Sequence, residues 1–206
     1  MLYRPLLEEV INRLSKNPYI VLESALILPG CSEPVLIQFR EELQLPSWFT
    51  QLYAEVGGAH IGWRLSPIGY EKLAPNRIDN LYRYDIFGNF DLLSHDEVID
   101  GFTGSGWREM YSHGSQDYHP VDFSSYFLNL GYTTPFQPDD NTKLINIVYE
   151  DRLVQLDISL AEYLRVGADR LFIVDWQLTL LNDENYADQE RHIKKLAEFL
   201  VDESNY

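Results

Sequence analysis

The chain has 206 residues, 45% of them apolar and 14% aromatic, enough for a sizeable core without disulfides or a structural metal and unlike a disordered composition. Aspartate and glutamate total 32 against 16 lysine and arginine, a net charge of −16, and so poor a supply of cationic phosphate contacts excludes nucleic acid as a partner. The longest apolar runs, Tyr19 to Leu28 and Leu171 to Leu181, are interrupted by Glu23 and Asp175, and no membrane span is expected.

Leu6, Leu7, Val10, Ile11 and Leu14 recur at helical spacing between Leu2 and Lys16, and Asn17-Pro18 ends that helix. Arg4, Glu8, Glu9 and Arg13 are mixed into its apolar pattern, which makes the helix amphipathic, so the segment is not read as a signal peptide. Tyr19 to Leu28 is a strand or a short buried helix closed by Pro29-Gly30, and Pro34 to Leu43 predicts a second helix. Ser47 is expected to cap a helix from Trp48 to Val56 that buries Phe49, Leu52, Tyr53 and Val56 and stops at Gly57-Gly58. Ala59 to Leu65 alternates, with Ile61, Trp63 and Leu65 on one side and His60, Gly62 and Arg64 on the other, which predicts a strand.

The stretch from Ser66 to Asn80 reads as irregular, followed by an aromatic strand from Leu81 to Phe90. Ser94 and Glu97 have the spacing of a capping box and open a short helix through Val98 and Ile99, after which Gly101 to Asp122 reads as a long loop. Tyr126 to Leu130, Lys143 to Tyr149 and Arg152 to Ile158 are predicted strands, the last two joined by a tight turn at Glu150-Asp151. Ser159 caps a helix ending near Gly167, Leu171 to Leu181 is a strand or buried segment, and Tyr186 to Val201 is a closing helix that buries Ile193, Leu196 and Leu200. Hairpins flanked by helices, without regular strand–helix alternation, give an α+β class: a mainly antiparallel sheet with helices on one face. One domain over residues 1–206 is expected, with a helical extension from 184 to 206.

The single cysteine, Cys31, lies in a turn with no histidine near it in sequence, which fits a loop thiol in a reducing, cytoplasmic compartment. His113, Asp117 and His119 are the one cluster with zinc-type ligands, and they underlie an alternative reading as a metal-dependent hydrolase. Isolated histidines in a polar loop serve equally as plain surface residues, so no cofactor or metal is expected. Paired acids such as Asp139-Asp140 and Glu150-Asp151 fit turns and a solvated surface.

The run Leu45-Pro46-Ser47-Trp48-Phe49, continuing through Leu52 to Gly58 and on to Ile61-Gly62-Trp63, resembles the opening motif of the SUKH superfamily. The hairpin from Leu144 to Ile158 and the helix after Ser159 are similar to the second half of those domains, so the resemblance covers about two thirds of the chain. The turn at Glu150-Asp151-Arg152 lacks the glycines often found there, and the C-terminal helix extends the domain. The resemblance implies an α+β binding domain without catalytic residues. Its bacterial members often neutralise toxins, many of them nucleases, and its eukaryotic members include regulators of cell-wall glucan synthesis. The charge favours the first role, since an acidic protein complements the cationic groove of a nuclease. The expected protein is therefore a cytoplasmic, non-enzymatic immunity protein with a basic protein partner, the alternative in the family being an intracellular regulator or scaffold. Its expected interface anchors are Trp63, Trp107, Tyr111, Asp117 and Tyr118, because aromatic side chains commonly carry most of the energy of an interface.

Overall fold

The computed structural model describes residues 3–73, 86–103, 112–113, 116–117, 119–123, 133–136, 145–149, 152–181 and 184–202; between 100 and 153 the side chains described are those of Asp122 and Ile147. The chain runs α1 (Tyr3–Lys16), β1 (Ile20–Pro29), α2 (Glu33–Ile37) with a π-helical continuation over Gln38–Glu42, α3 (Ser47–Glu55), β2 (Val56–Leu65), α4 (Pro67–Leu73), β3 (Phe87–Leu92) and α5 (His95–Thr103). Then come the short strands β4 (Ser112–His113) and β5 (Gln116–Asp117), β6 (His119–Phe123), β7 (Thr133–Phe136), β8 (Ile145–Tyr149) and β9 (Arg152–Leu156). The chain closes with α6 (Leu160–Asp169), 3-10 turns at Trp176–Leu180 and Glu184–Tyr186, and α7 (Ala187–Asp202). The class is α+β.

Seven strands form a sheet in the order β1-β2-β3-β6-β7-β8-β9, and every described pairing in it is antiparallel. Its two parts meet where Leu92 of β3 pairs with Asp122 of β6. Alternation in β2 sends Ile61, Trp63 and Leu65 into the core, where none is more than 1% exposed. Leu7, Val10 and Leu14 of α1 and Ile193, Leu196 and Leu200 of α7 are likewise buried, at the spacing that places them on one helix face. Asn17, buried where α1 ends, donates from Nδ2 to Leu200 O at 2.7 Å and tethers α7 to the first loop.

The expected capping box at Ser94 and Glu97 forms, and the expected cap at Ser159 forms with Glu162 as its reciprocal partner. Glu162 N–H donates to Ser159 Oγ and Ser159 N–H to Glu162 Oε2, and Ser94 and Glu97 exchange the same two bonds. Ser47 does not cap α3: it is the first helical residue, Pro46 precedes it, and the amides of Phe49 and Thr50 donate to Pro46 O. Nor do the glycines end that helix in a turn, since the chain passes directly into β2 and Gly57 and Gly58 are its second and third residues.

The stretch expected to be irregular after Ser66 contains α4, whose first turn is held by Gly69 N–H donating to Ser66 Oγ. The aromatic strand begins at Phe87; most of the predicted span before it lies outside the described residues, as do Tyr126 to Leu130 and the turn at Glu150-Asp151. The loop expected from Gly101 to Asp122 includes the end of α5 and strands β4, β5 and β6. Leu171 to Leu181 is buried as one of the two readings held, but in turns: Leu171, Phe172 and Asp175 have left-handed backbones at φ 54°, 51° and 65°, and Ile173 makes one bridge to Gly88. That segment is pinned by Trp63 Nε1 donating to Leu171 O at 2.7 Å and by Asn89 N–H donating to Phe172 O at 2.9 Å.

Candidate functional site

The outer face of β1, β2 and β3 brings together a set of accessible polar side chains. Register builds it in three rows: Leu26, His60 and Asp91; Ser24, Gly62 and Asn89; Val21, Arg64 and Phe87. An irregularity between Leu22 and Ser24 lets Glu23 join the outward set, and Arg64 Nε donates to Glu23 Oε1 at 2.7 Å. His60 Nδ1 lies 3.5 Å from Asp91 Oδ1. Burial pushes the Asp91 carboxyl up from its ordinary range; His60 opposes the rise and the Glu97 charge adds to it. Leu26, 52% exposed, ends the His60 row.

Ser24, His60 and Asp91 share the face, and among the described residues no hydrogen bond joins Ser24 to His60. What the face offers chemically is acceptor groups backed by carboxylates.

A cavity of about 320 Å³ lies elsewhere, where the beginnings of three helices meet: Tyr3 of α1, Ser47, Trp48 and Gln51 of α3, and Ser159 and Leu160 at the start of α6. Glu55 Oε2 accepts from the amides of Tyr3 and Arg4 and so occupies the amino end of α1. Helix amino ends carry partial positive charge, which makes this cavity a poor seat for a cation and leaves the sheet face as the better one.

Trp63, expected as a surface anchor, is a core residue at 1% exposure with its indole N–H spent on Leu171, because β2 alternation turns it inward. Trp107, Tyr111 and Tyr118 lie outside the described residues, and of Asp117 only the backbone is described, paired with Ser112. The same holds for the proposed zinc ligands: His113 pairs with Gln116 and His119 with Phe136, while their side chains lie outside the described residues. Among the described residues no three His, Cys, Asp or Glu side chains are grouped so as to hold a metal ion. Burial, with the Asp96 charge second, pushes the Cys31 thiol up to about 11, so it stays protonated at neutral pH.

Sequence reasoning set His60, Gly62 and Arg64 together on one side of a strand and missed Glu23, Ser24, Asn89 and Asp91. Their only signal was periodicity, and the partners of a strand are fixed by register, which periodicity within one strand does not give. The comparisons with protein-family models, curated proteins and solved structures each return no match. Among the described residues no helix is long and apolar enough to cross a membrane.

Proposed function

We propose that the protein is a non-catalytic binding protein of the cytoplasm that captures a basic protein, in the manner of SUKH-type immunity proteins that occlude the cationic groove of a nuclease-type toxin. The observation that carries this reading is the net charge of −16. Exposed acids occur on several of the described helical elements: Glu8 and Glu9 on α1, Glu41 and Glu42 in the π-helical turn, Asp96 on α5, and Asp188 on α7. Such a field accelerates encounter with a cationic partner and repels phosphate backbones. The sheet face, with acceptors and carboxylates at its surface and a large apolar side chain beside them, supports the same reading.

Affinity capture on the immobilised full chain tests it, run in low and in high salt against lysate and any toxin encoded beside it. The expected result is one dominant basic protein, released as salt rises and inactive while bound. Recovery of acidic or salt-insensitive partners, or of none, would sink the reading.

A further inference from the structure

Gly62 is the outward residue at the middle of β2, and its surroundings differ from those of the other described glycines. A Cβ added at Gly30, Gly57, Gly58, Gly69 or Gly88 would run into backbone atoms, and one at Gly167 into the buried rings of Phe172 and Trp176. At Gly62 the three nearest atoms it would meet are side-chain atoms, Ser24 Oγ at 2.7 Å and Asn89 Oδ1 and His60 Nε2 at 3.9 Å, on a half-buried face. Glycine inside a strand forgoes packing and costs backbone entropy, and it commonly marks the close approach of another backbone or of a ligand. Among the described residues the three atoms nearest to that position all belong to side chains, and the irregularity at Glu23 lies across from Gly62, so the strands leave a shallow dimple there lined by polar groups.

We propose that this dimple receives a lysine ammonium presented by the basic protein partner, an inference that rests on the reading of the chain as a binder of cationic proteins. His60 Nδ1 lies 3.5 Å from Asp91 Oδ1 and Nε2 3.9 Å from the Cβ position at Gly62, and a proton placed on Nδ1 toward Asp91 leaves Nε2 as an acceptor, as the partner of one ring nitrogen fixes the role of the other. Ser24 Oγ and Asn89 Oδ1 complete three acceptors from three strands, matching the three N–H donors of an ammonium group. Asp91 supplies the countercharge behind His60, and its carboxyl, held up by burial, gains from a nearby cation. Leu26, in the same row as His60, offers apolar surface to the methylene stem of the lysine. Arg64 does not compete for the site, because Glu23 already accepts from it.

The test is an amide-resolved titration of the isotope-labelled full chain in low salt, using a lysine-rich peptide and the same peptide with its lysines acetylated. The largest shifts are expected at His60, Gly62 and Asn89, vanishing with the acetylated peptide. Affinity should fall about tenfold in Gly62→Ala and in Asp91→Asn, both at half-buried positions and both checked for a native spectrum. Saturable shifts clustered on the helix acids, unchanged in both variants, would overturn the dimple while leaving the binding reading intact. No saturable shift anywhere would overturn both.

Discussion

Two glycines on adjoining strands face opposite sides of the sheet. Gly88, opposite Trp63 in the register, faces the core: a Cβ there would stand 2.2 Å from Trp63 Nε1 and 2.7 Å from Phe172 O. Gly62, opposite Asn89, faces out, and its closest neighbour is a serine hydroxyl that can rotate away. Backbone and ring atoms dictate the first glycine, whereas the second meets a hydroxyl first and lies across from the irregularity at Glu23, which leaves room on its face for a ligand group. The sharpest way to break that contrast is Gly88→Ala. The added methyl meets both an indole locked by its bond to Leu171 and a backbone carbonyl, and the expected loss is about 3 kcal/mol, at the upper end for an overpacked core. Urea unfolding measures it; a loss under about 0.5 kcal/mol, the range of an ordinary surface substitution, would show that the inner face is looser than described.

The segment pressed against Gly88 supplies the next effect. Burial pushes the Asp175 carboxyl from its ordinary 3.8 up to about 6. The unfolded chain releases this proton near 3.8 and the folded chain near 6, so between these values the folded state holds more protons. Stability therefore falls as pH rises through that window, and the whole loss is present above about pH 6. Asp175→Asn removes the ionisation and suits the left-handed backbone at least as well. The variant should be more stable by on the order of 2 kcal/mol above that window, with the gain fading to nothing below it. Denaturant midpoints across pH decide this, and parallel curves for the two proteins would refute it.

A smaller loss is expected for Tyr163→Phe. The Tyr163 hydroxyl donates to buried Asp122 at 2.9 Å and accepts from Gln177 Nε2 at 3.3 Å, linking α6 and the 3-10 turn to the strand that joins the two parts of the sheet. Gln177 is fully buried and its Oε1 has no partner among the described residues, so the substitution would leave its amide with neither bond. About 1–2 kcal/mol should be lost at pH 7. A neutral result would mean that water replaces the hydroxyl.

What was legible in the sequence follows from the range of the forces involved. The capping box at Ser94 and Glu97, the cap at Ser159, the inward face of β2 and the buried stripes of α1 and α7 depend on residues within a turn or two of one another, and the structure has them where the pattern put them. The turns at Leu171 to Asp175 were not legible: apolar and β-branched residues suggested a strand or a buried segment, whereas bonds to Trp63 and Asn89, far away in sequence, hold a left-handed backbone. Trp63 as an anchor failed for a related reason, since an aromatic side chain serves a core as well as an interface and only its setting distinguishes the two. The sheet face was half legible, through the alternation of His60, Gly62 and Arg64, and the other half had to await register.

Gly62→Ala is the smallest expected effect on stability and the most informative. Replacing a mid-strand glycine by alanine restricts the unfolded chain and should stabilise by about 0.5 kcal/mol, provided that Ser24 rotates aside. A marked loss of stability would show the Ser24 hydroxyl to be fixed, making Gly62 a packing glycine like Gly88 and removing the reason to look for a ligand there. A stability equal to or above that of the parent, joined to weaker capture of lysine-rich peptide, would separate the two properties. A residue that makes the fold no better and recognition possible is what the contrast between the two glycines requires.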